Sequence, residues 1–261
     1  MTRKISNSQG KSLTSYSQIA IVTGAGAGIG LQTALLLAEK GIRVYAMTRT
    51  PASLATLDEK VAAHGLNHYI STLCLDVTTQ KQREDVKNII LDRESEHLYS
   101  DKPPELILIN NAGIGSMGSA EETPPEELQK VIDTNFYGAV EMTRLFLPVM
   151  RQNRQGKIIQ VSSGYGKVGA PLMSAYCASK FALEGYSESL RYELLPFNLF
   201  VTLVEPGPVL TNFRDKMGGE SDKTNSPYQD IHLAFNKILE KGKKWLENHF
   251  LECLPVVIIH V

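Results

Sequence analysis

The chain has 261 residues, of which 43% are apolar and 21% are charged, and its formal net charge is −1 at pH 7. This length and composition are typical of a globular protein with a sizeable core. The balanced charge gives no reason to expect nucleic-acid binding or electrostatic docking to a membrane. No run of about 18 apolar residues occurs, so we expect no membrane span. Cys74, Cys177 and Cys253 are widely spaced and form no metal-binding motif, which favours a reduced, cytoplasmic protein without a metal.

Strand-like and helix-like segments alternate along the chain. Residues 1–17 are mostly polar and predict a flexible N-terminal tail. The predicted strands are residues 19–22, 42–47, 69–75, 106–109, 157–161 and 200–204; the predicted helices are residues 31–40, 80–93, 125–135, 138–153 and 174–195, and one that begins at Pro51. This order predicts an α/β fold, a single doubly wound Rossmann domain over residues 18–261 with a parallel sheet of six or seven strands.

Two connecting stretches differ from this pattern. Residues 94–104 predict a polar connector. Residues 207–229 are rich in Gly, Pro, Ser, Asp and Thr and predict a loop, and loops near strand ends often cover ligands. We therefore expect residues 206–250 to form the substrate-loop region.

A glycine-rich segment joins the first strand to the first helix. Residues 23–30 read TGAGAGIG, which matches the pattern T-G-x-x-x-G-x-G and not G-x-G-x-x-G. Glycines let the backbone approach a pyrophosphate, and a helix N-terminus presents free N–H groups and a partial positive charge. The segment predicts phosphate binding, with a merely flexible strand–helix turn as the alternative.

The end of the second strand bears on the choice of cofactor. A carboxylate about 20 residues after the glycine loop would hold the ribose hydroxyls of NAD. Thr48 and Arg49 occupy this place, and the next acid is Asp58. A guanidinium pairs well with a 2′-phosphate, so the sequence predicts NADP, with NAD possible. The alternative is that Arg49 is a solvated strand-end residue.

Tyr176 and Lys180 are four residues apart on a predicted helix and therefore share a face. A phenol has a pKa near 10, and acid/base work near pH 7 needs this pKa lowered by roughly three units. A neighbouring ammonium and the positive nicotinamide of an oxidised cofactor would both lower it. Ser163 lies at the end of the fifth strand, at the sheet edge where ligands bind in this architecture. Its hydroxyl could hold a substrate oxygen while Tyr176 exchanges the proton.

These motifs together resemble the short-chain dehydrogenase/reductases over about residues 18–215. The matching pieces are Thr23-Gly24, Gly28-Ile29-Gly30, Leu75-Asp76-Val77, Asn110-Asn111-Ala112-Gly113, Asn135, Val161-Ser162-Ser163, Tyr176, Lys180 and Pro206-Gly207-Pro208-Val209-x-Thr211. Each piece could occur by chance, but their order and spacing together are specific.

The resemblance implies a role for each matching position. Ser163 would orient the substrate oxygen, Tyr176 would donate or accept the proton, and Lys180 would bind the nicotinamide ribose and lower the Tyr176 pKa. Asn135 would hold a water of the proton relay. The implied cofactor-binding residues are Gly24, Gly26, Gly28, Ile29, Gly30, Thr48, Arg49, Asp76 (at the adenine amine), Val77, Asn111 (at the ribose), Ala112, Gly113, Tyr176, Lys180, Pro206, Gly207, Val209 and Thr211 (at the carboxamide). The structural alternatives are a helix cap for Asp76, a mid-helix polar residue for Asn135 and a plain turn for residues 206–208.

Within that family, residues 176–185, 188–190, 195–197, 44–46 and 230–232 resemble the estradiol 17β-hydroxysteroid dehydrogenases and the photoreceptor-type retinol dehydrogenases. This resemblance implies a bulky apolar alcohol or ketone as substrate, such as a steroid, a retinoid or another lipid. We also expect a homodimer or homotetramer.

After residue 215 the match becomes weaker. The apolar run 254–261 is either a shortened final strand or an altered end that follows truncation. Three functions therefore remain open: a lipid-alcohol or ketone oxidoreductase, a reductase of 3-oxoacyl thioesters or other carbonyls, and a cofactor-binding protein without turnover.

Overall fold

The computed structural model describes residues 16–207 and 225–248. Its strands are β1 Gln18–Val22, β2 Arg43–Thr48, β3 Ile70–Cys74, β4 Glu105–Asn110, β5 Gly156–Val161 and β6 Leu199–Val204. All the pairings are parallel, in the order β3-β2-β1-β4-β5-β6. The order reverses between β1 and β4, which opens a crevice at the carboxyl ends of these two strands, where ligands bind in such sheets.

Helices connect successive strands. They are α1 Gly28–Glu39, α2 Pro51–Ala63, α3 Gln80–Arg93, α4 Ser95–Leu98, α5 Pro125–Ile132, α6 Gly138–Asn153, α7 Ser174–Leu194 and α8 Gln229–Asn248. Alternate residues of a strand face opposite sides of the sheet. Ile19 and Ile21 of β1 accordingly pack into a core with α3, α6 and α7, whereas Ala20 and Val22 pack into a second core with α1 and α2. The predicted single doubly wound α/β fold is confirmed, with six strands in the described part of the chain.

The predicted connector 94–104 is the main error of the sequence-based assignment. It contains the short helix α4, and Glu94 at its start is only 2% exposed. Leu98 is completely buried. The stretch is therefore part of the packed domain, because Leu98 and Glu94 turn inward.

The predicted helix 125–135 also differs from the structure. The α-helix α5 ends at Ile132, and residues Asp133–Tyr137 form a π-helical turn that leads into α6. Most of the predicted loop 207–229, the apolar run 254–261 and most of the tail 1–17 lie outside the described residues. Within the described residues, no helix is both long enough and apolar enough to cross a bilayer.

Candidate active site

The glycine loop is held against the end of β4 by a small set of hydrogen bonds. Thr23 Oγ1 accepts the backbone N–H groups of Asn111 and Ala112, each at 3.0 Å. The Asn111 amide donates to the carbonyls of Thr23 and Gly24, also at 3.0 Å. Gly24 has φ +66°, and a Cβ there would lie 2.8 Å from Ala112 Cα. The loop is therefore built around Asn111, and a side chain at position 24 would push it off β4.

The other side of the loop abuts β2. A Cβ on Gly26 would lie 2.7 Å from Thr48 Oγ1, so the loop and the end of β2 are in direct contact. Thr48 is buried and donates to Ser53 Oγ at 2.8 Å, whereas the next residue, Arg49, is exposed. The guanidinium predicted to select NADP thus belongs to the residue directly after the strand end that touches the glycine loop.

Asp76 and Val77 follow β3 at the same edge of the sheet. Asp76 Oδ1 accepts from Thr78 N at 2.9 Å and from Thr78 Oγ1 at 2.7 Å, a local turn that leads into α3. Val77 is buried, and a Cβ on Gly138 would lie 2.7 Å from its Cγ2 atom. The contacts of Asp76 within the chain are those of a turn-forming residue, and the residue is half-buried.

Tyr176 and Lys180 both lie buried on α7, one turn apart, as their spacing predicts. Lys180 is 4% exposed, and its Nζ donates to the Val161 carbonyl at 2.8 Å. The same Nζ lies 5.8 Å from the centre of the Tyr176 ring. Burial lowers the pKa of Lys180 to about 8, an effect that the negative charge of Glu184 partly opposes. Val161 ends β5, so this bond attaches the catalytic helix to the strand that carries Ser163.

The pKa of Tyr176 is raised, not lowered. Burial is the main cause, nearby Cys177 and Tyr165 add to it, and a hydrogen bond with Ser163 acts in the opposite direction. The sequence argument expected an ammonium beside the hydroxyl to lower this pKa. In the structure the Lys180 ammonium is directed at the Val161 carbonyl, so desolvation of the phenol dominates.

Asn135 is buried within the π-helical turn. Its Oδ1 accepts from Ile114 N at 2.8 Å, and its amide donates to Ile114 O and to Ser179 Oγ, both at 2.9 Å. Ser179 Oγ in turn donates to the Tyr176 carbonyl at 2.7 Å. The amide group therefore connects the end of β4 to the catalytic helix, and both of its N–H groups are used in doing so.

The remaining predicted site residues follow β6. Gly164 N donates to the Pro206 carbonyl at 3.2 Å, which places Pro206 and Gly207 beside the turn after Ser163. Val209 and Thr211 lie outside the described residues. Gly113 lies between Asn135 and Lys180, because a Cβ on it would be 3.3 Å from Asn135 Oδ1 and 3.8 Å from Lys180 Nζ.

An apolar cluster encloses Tyr176, and sequence reasoning missed it. Its buried members are Met117, Leu172, Met173, Tyr176, Cys177 and Phe235, and Tyr165, Ala170 and Leu239 pack against them. The Tyr165 and Tyr176 rings meet edge to face, 6.4 Å between centres. These residues come from four separate segments, so no spacing pattern connects them. The periodicity of apolar residues in α8 predicts which face of that helix is buried, but not what it packs against. Among the described residues, no group of His, Cys, Asp or Glu has the arrangement of a metal site.

Comparison with known proteins agrees with this geometry. Residues 18–221 match the family model for short chain dehydrogenases. The chain is 38% identical to 3-ketodihydrosphingosine reductase of Bacteroides thetaiotaomicron over 87% of this chain and 77% of that protein. It is 36% identical to retinol dehydrogenase 8 of Bos taurus over 84% of this chain and 70% of that protein.

A solved structure shows the same similarity in three dimensions. A variant of actinorhodin polyketide ketoreductase with NADPH superposes with a TM-score of 0.68 at 30% identity, covering 75% of this chain and 72% of that one. The family match extends over most of the chain, and the fold and the order of motifs agree with it. The chain therefore belongs to the short-chain dehydrogenase family and is an NAD(P)-dependent oxidoreductase.

Proposed function

We propose that this protein uses NADP to interconvert an apolar ketone or aldehyde and the corresponding alcohol, with Tyr176 as the acid/base. One observation carries the proposal. The Tyr176 hydroxyl is hydrogen-bonded to Ser163, whereas the Tyr176 ring is enclosed by the apolar cluster. A polar reacting point within an apolar wall suits a substrate with one carbonyl or hydroxyl on a hydrophobic body.

The glycine loop suits a dinucleotide. Glycine at positions 24 and 30 lets the loop pack closely on Asn111 at the switch point of the sheet, since a Cβ on Gly30 would lie 2.5 Å from the Gly24 carbonyl. The N-terminus of α1 opens directly from this loop and favours a phosphate. When bound, the nicotinamide supplies or accepts the hydride. The residues that we propose to hold the cofactor are those implied by the sequence resemblance.

The chain's own groups then handle the oxygen and the proton. We assign the orientation of the substrate oxygen to Ser163 Oγ, which already pairs with the Tyr176 hydroxyl. Tyr176 gives a proton to the oxygen in reduction and takes it in oxidation. We propose that the Lys180 ammonium, which here donates to the Val161 carbonyl, supports the phenolate by its charge once the cofactor is bound. Asn135 keeps the helix that carries both residues in place through Ser179.

The preference for NADP rests on the end of β2. Arg49 is exposed beside the glycine loop, and no carboxylate lies at the position that would hold an unphosphorylated ribose. Arginine pairs with phosphate through two parallel hydrogen bonds. The similarity to a ketoreductase with NADPH supports the same choice.

The substrate class follows from the apolar cluster and from the relatives. Met117, Leu172 and Phe235 present no charge to the Tyr176 ring. The two relatives named above are, by name, a reductase of 3-ketodihydrosphingosine and a dehydrogenase of retinol. We therefore propose a lipid, retinoid or steroid carbonyl or alcohol.

The test is NADPH oxidation followed at 340 nm with four substrates: 3-ketodihydrosphingosine, all-trans-retinal, estrone and acetoacetyl-coenzyme A. We expect turnover with at least one of the first three and a kcat/KM at least about tenfold lower with the thioester, a difference of about 1.4 kcal/mol. Preference for acetoacetyl-coenzyme A would replace this proposal with a thioester reductase. Cofactor binding without turnover of any substrate would indicate a binding protein.

The apolar wall is tested separately with α8. Phe235→Ala should raise the KM of the best apolar substrate about tenfold and leave the KM of NADPH unchanged, because Phe235 is not among the residues that we propose to hold the cofactor. Ile238→Ala is the matched control, since Ile238 lies on the same helix but is 64% exposed. Equal effects of the two substitutions would remove Phe235 from the substrate pocket.

A further inference from the structure

A buried carboxylate lies one helical turn beyond Lys180. Tyr176, Lys180 and Glu184 are spaced by four residues on α7 and share one face of the helix. Glu184 is only 5% exposed, and none of the roles described above uses it. Glutamate is rarely buried without a cation or hydrogen-bond donor beside it, so its partners indicate what it does.

The main partner of Glu184 is Lys167, which follows the turn after Ser163. Lys167 Nζ lies 2.8 Å from Glu184 Oε2 and is 3.5 Å from Glu188 and 3.6 Å from Glu205. The Lys167 side chain is 44% exposed, so the pair extends from solvent into the protein. Lys167 thus forms an ion pair with the buried carboxylate from the solvent side.

The carboxylate of Glu184 is incompletely paired. Both of its oxygens and Ser162 Oγ are buried without a hydrogen-bond partner, and the contact of Oε2 with Lys167 is an ion pair. A Cβ on Gly166 would lie 2.7 Å from Ser162 Oγ and 3.1 Å from Glu184 Oε1, so glycine is what allows this close packing. We call Ser162, Lys167, Lys180 and Glu184 the Glu184 cluster.

Glu184 acts on Lys180 through its charge. Burial lowers the pKa of Lys180 and the negative charge of Glu184 raises it, whereas the hydrogen-bond partner of Lys180 Nζ is the neutral Val161 carbonyl. The other titratable side chains that face these two residues and their partners are Tyr165, Lys167, Tyr176, Cys177, Glu188 and Glu205. Glu184 is therefore the carboxylate that favours a charged Lys180.

We propose that Glu184 is a positioning residue for catalysis: its buried carboxylate, whose charge Lys167 shares from the solvent side, keeps the Lys180 ammonium charged inside the protein. This inference rests on the proposed role of Lys180 beside Tyr176. A neutral Lys180 would no longer support the phenolate form of Tyr176, so loss of the carboxylate would restrict catalysis to lower pH. Lys167 acts only through Glu184.

The direct test measures the ionisation of Lys180 without any substrate. Protein labelled with 13C at the lysine ε-carbons is titrated by NMR, and the Lys180 signal is assigned by its absence from Lys180→Arg. Glu184→Gln, which keeps the shape and removes the charge, should lower the Lys180 midpoint by about one pH unit or more. Glu188→Gln is the matched control, because Glu188 also pairs with Lys167 but lies at the surface, and it should leave the midpoint unchanged.

An unchanged Lys180 midpoint in Glu184→Gln would overturn the proposal. If Glu184→Gln does not fold, Lys167→Met tests the proposal instead. Without Lys167 the Glu184 charge acts on Lys180 alone, so the Lys180 midpoint should stay the same or rise. A fall in Lys167→Met would overturn the proposal, because loosened packing would then explain the change.

The pH profile of kcat/KM for alcohol oxidation gives the catalytic readout. In Glu184→Gln, the decline of kcat/KM at high pH should shift to lower pH by as much as the Lys180 midpoint does. In Glu188→Gln, the pH of this decline should not change. Because the NMR titration needs no turnover, an inactive protein with the expected midpoints would overturn only the proposed function. An active protein with unchanged midpoints would overturn only the role of Glu184.

Discussion

Two buried acids lie at opposite edges of the sheet and differ in how fully they are paired. Glu94, at the amino edge, accepts hydrogen bonds from Tyr16, from Tyr45 at 2.5 Å and from Arg43 at 3.3 Å. Glu184, at the carboxyl edge, has one cation, Lys167, beside Oε2, and neither of its buried oxygens has a hydrogen-bond partner. We call Tyr16, Arg43, Tyr45 and Glu94 the Glu94 cluster.

The difference separates a structural role from a functional one. A buried carboxylate whose oxygens are all used stabilises the fold and leaves nothing free to act on a ligand. A carboxylate left partly unpaired beside a buried lysine costs stability and changes the ionisation of its neighbour. Strain of this kind is expected where chemistry takes place. We therefore expect substitutions in the Glu94 cluster to change stability, and substitutions in the Glu184 cluster to change activity.

The largest expected effect is on stability, from Glu94→Gln. Removing the charge leaves Arg43 without its buried partner, and breaking such a pair costs about 3 kcal/mol of unfolding free energy. Urea denaturation measures this change. Glu96→Gln, at an exposed position two residues on, is the control and should change the free energy of unfolding by less than about 0.5 kcal/mol. Equal changes in unfolding free energy for the two substitutions would contradict a structural role for the Glu94 cluster.

Lys180→Met should raise the free energy of unfolding, whereas Glu94→Gln should lower it. The pKa of Lys180 is lowered to about 8 from 10.5, so its buried charge costs the folded state up to about 3 kcal/mol at pH 7. Because the pKa of Lys180 is lower in the folded protein, its titration favours the folded state above pH 10.5. This contribution to stability is lost as the pH falls through about 8. The variant should therefore be more stable than the parent at pH 7, and this advantage should disappear toward pH 10.5, while turnover is lost. Thermal unfolding at both pH values measures this, and a variant less stable at pH 7 would contradict the comparison.

Tyr45→Phe tests the Glu94 cluster from the donor side. The substitution removes a hydrogen bond to a buried charge and should cost about 2 kcal/mol at pH 7. Burial and Glu94 raise the pKa of Tyr45 from 10 to about 12, so this stability is present below pH 10 and lost as the pH rises through about 12. The difference in unfolding free energy between Tyr45→Phe and the parent should therefore shrink as the pH rises from 10 to about 12. Tyr99→Phe, at a position 56% exposed, is the control.

The smallest expected effect comes from Arg49→Ala at the carboxyl edge. The side chain is exposed, so unfolding free energy should change by less than about 0.5 kcal/mol. The KM of NADPH should rise about tenfold, which corresponds to about 1.4 kcal/mol of lost phosphate binding. The KM of NADH should not change, and Arg93→Ala, another exposed arginine, should affect neither. Equal losses with both cofactors would contradict the NADP assignment.

Sequence reasoning reached the fold and the catalytic helix because both depend on local patterns. Apolar runs separated by helical periods predict parallel strands, and the spacing of Tyr176 and Lys180 places both on one face. Glu94 was assigned to a polar connector, since nothing local shows that Arg43 and Tyr45, about 50 residues earlier, meet it inside the protein. The burial of Glu184 likewise depends on Lys167 and Gly166 from another segment.

The apolar cluster was missed for the same reason. Met117 and Phe235 come from segments more than 100 residues apart, and neither carries a motif. The raised pKa of Tyr176 was also not foreseen, because it depends on the depth of burial and on the direction of the Lys180 ammonium, which only the folded chain determines.

The most direct test compares two tyrosines in one pocket. Tyr165 and Tyr176 meet edge to face, 6.4 Å between ring centres. The Tyr176 hydroxyl is hydrogen-bonded to Ser163, whereas Tyr165 reaches Ser163 Oγ through its backbone N–H, which Tyr165→Phe leaves in place. With NADPH and the best ketone substrate, Tyr176→Phe should lower kcat about a thousandfold and leave NADPH binding unchanged, whereas Tyr165→Phe should keep most of the activity. Turnover near the parent rate in Tyr176→Phe would contradict the assignment of Tyr176 as the acid/base.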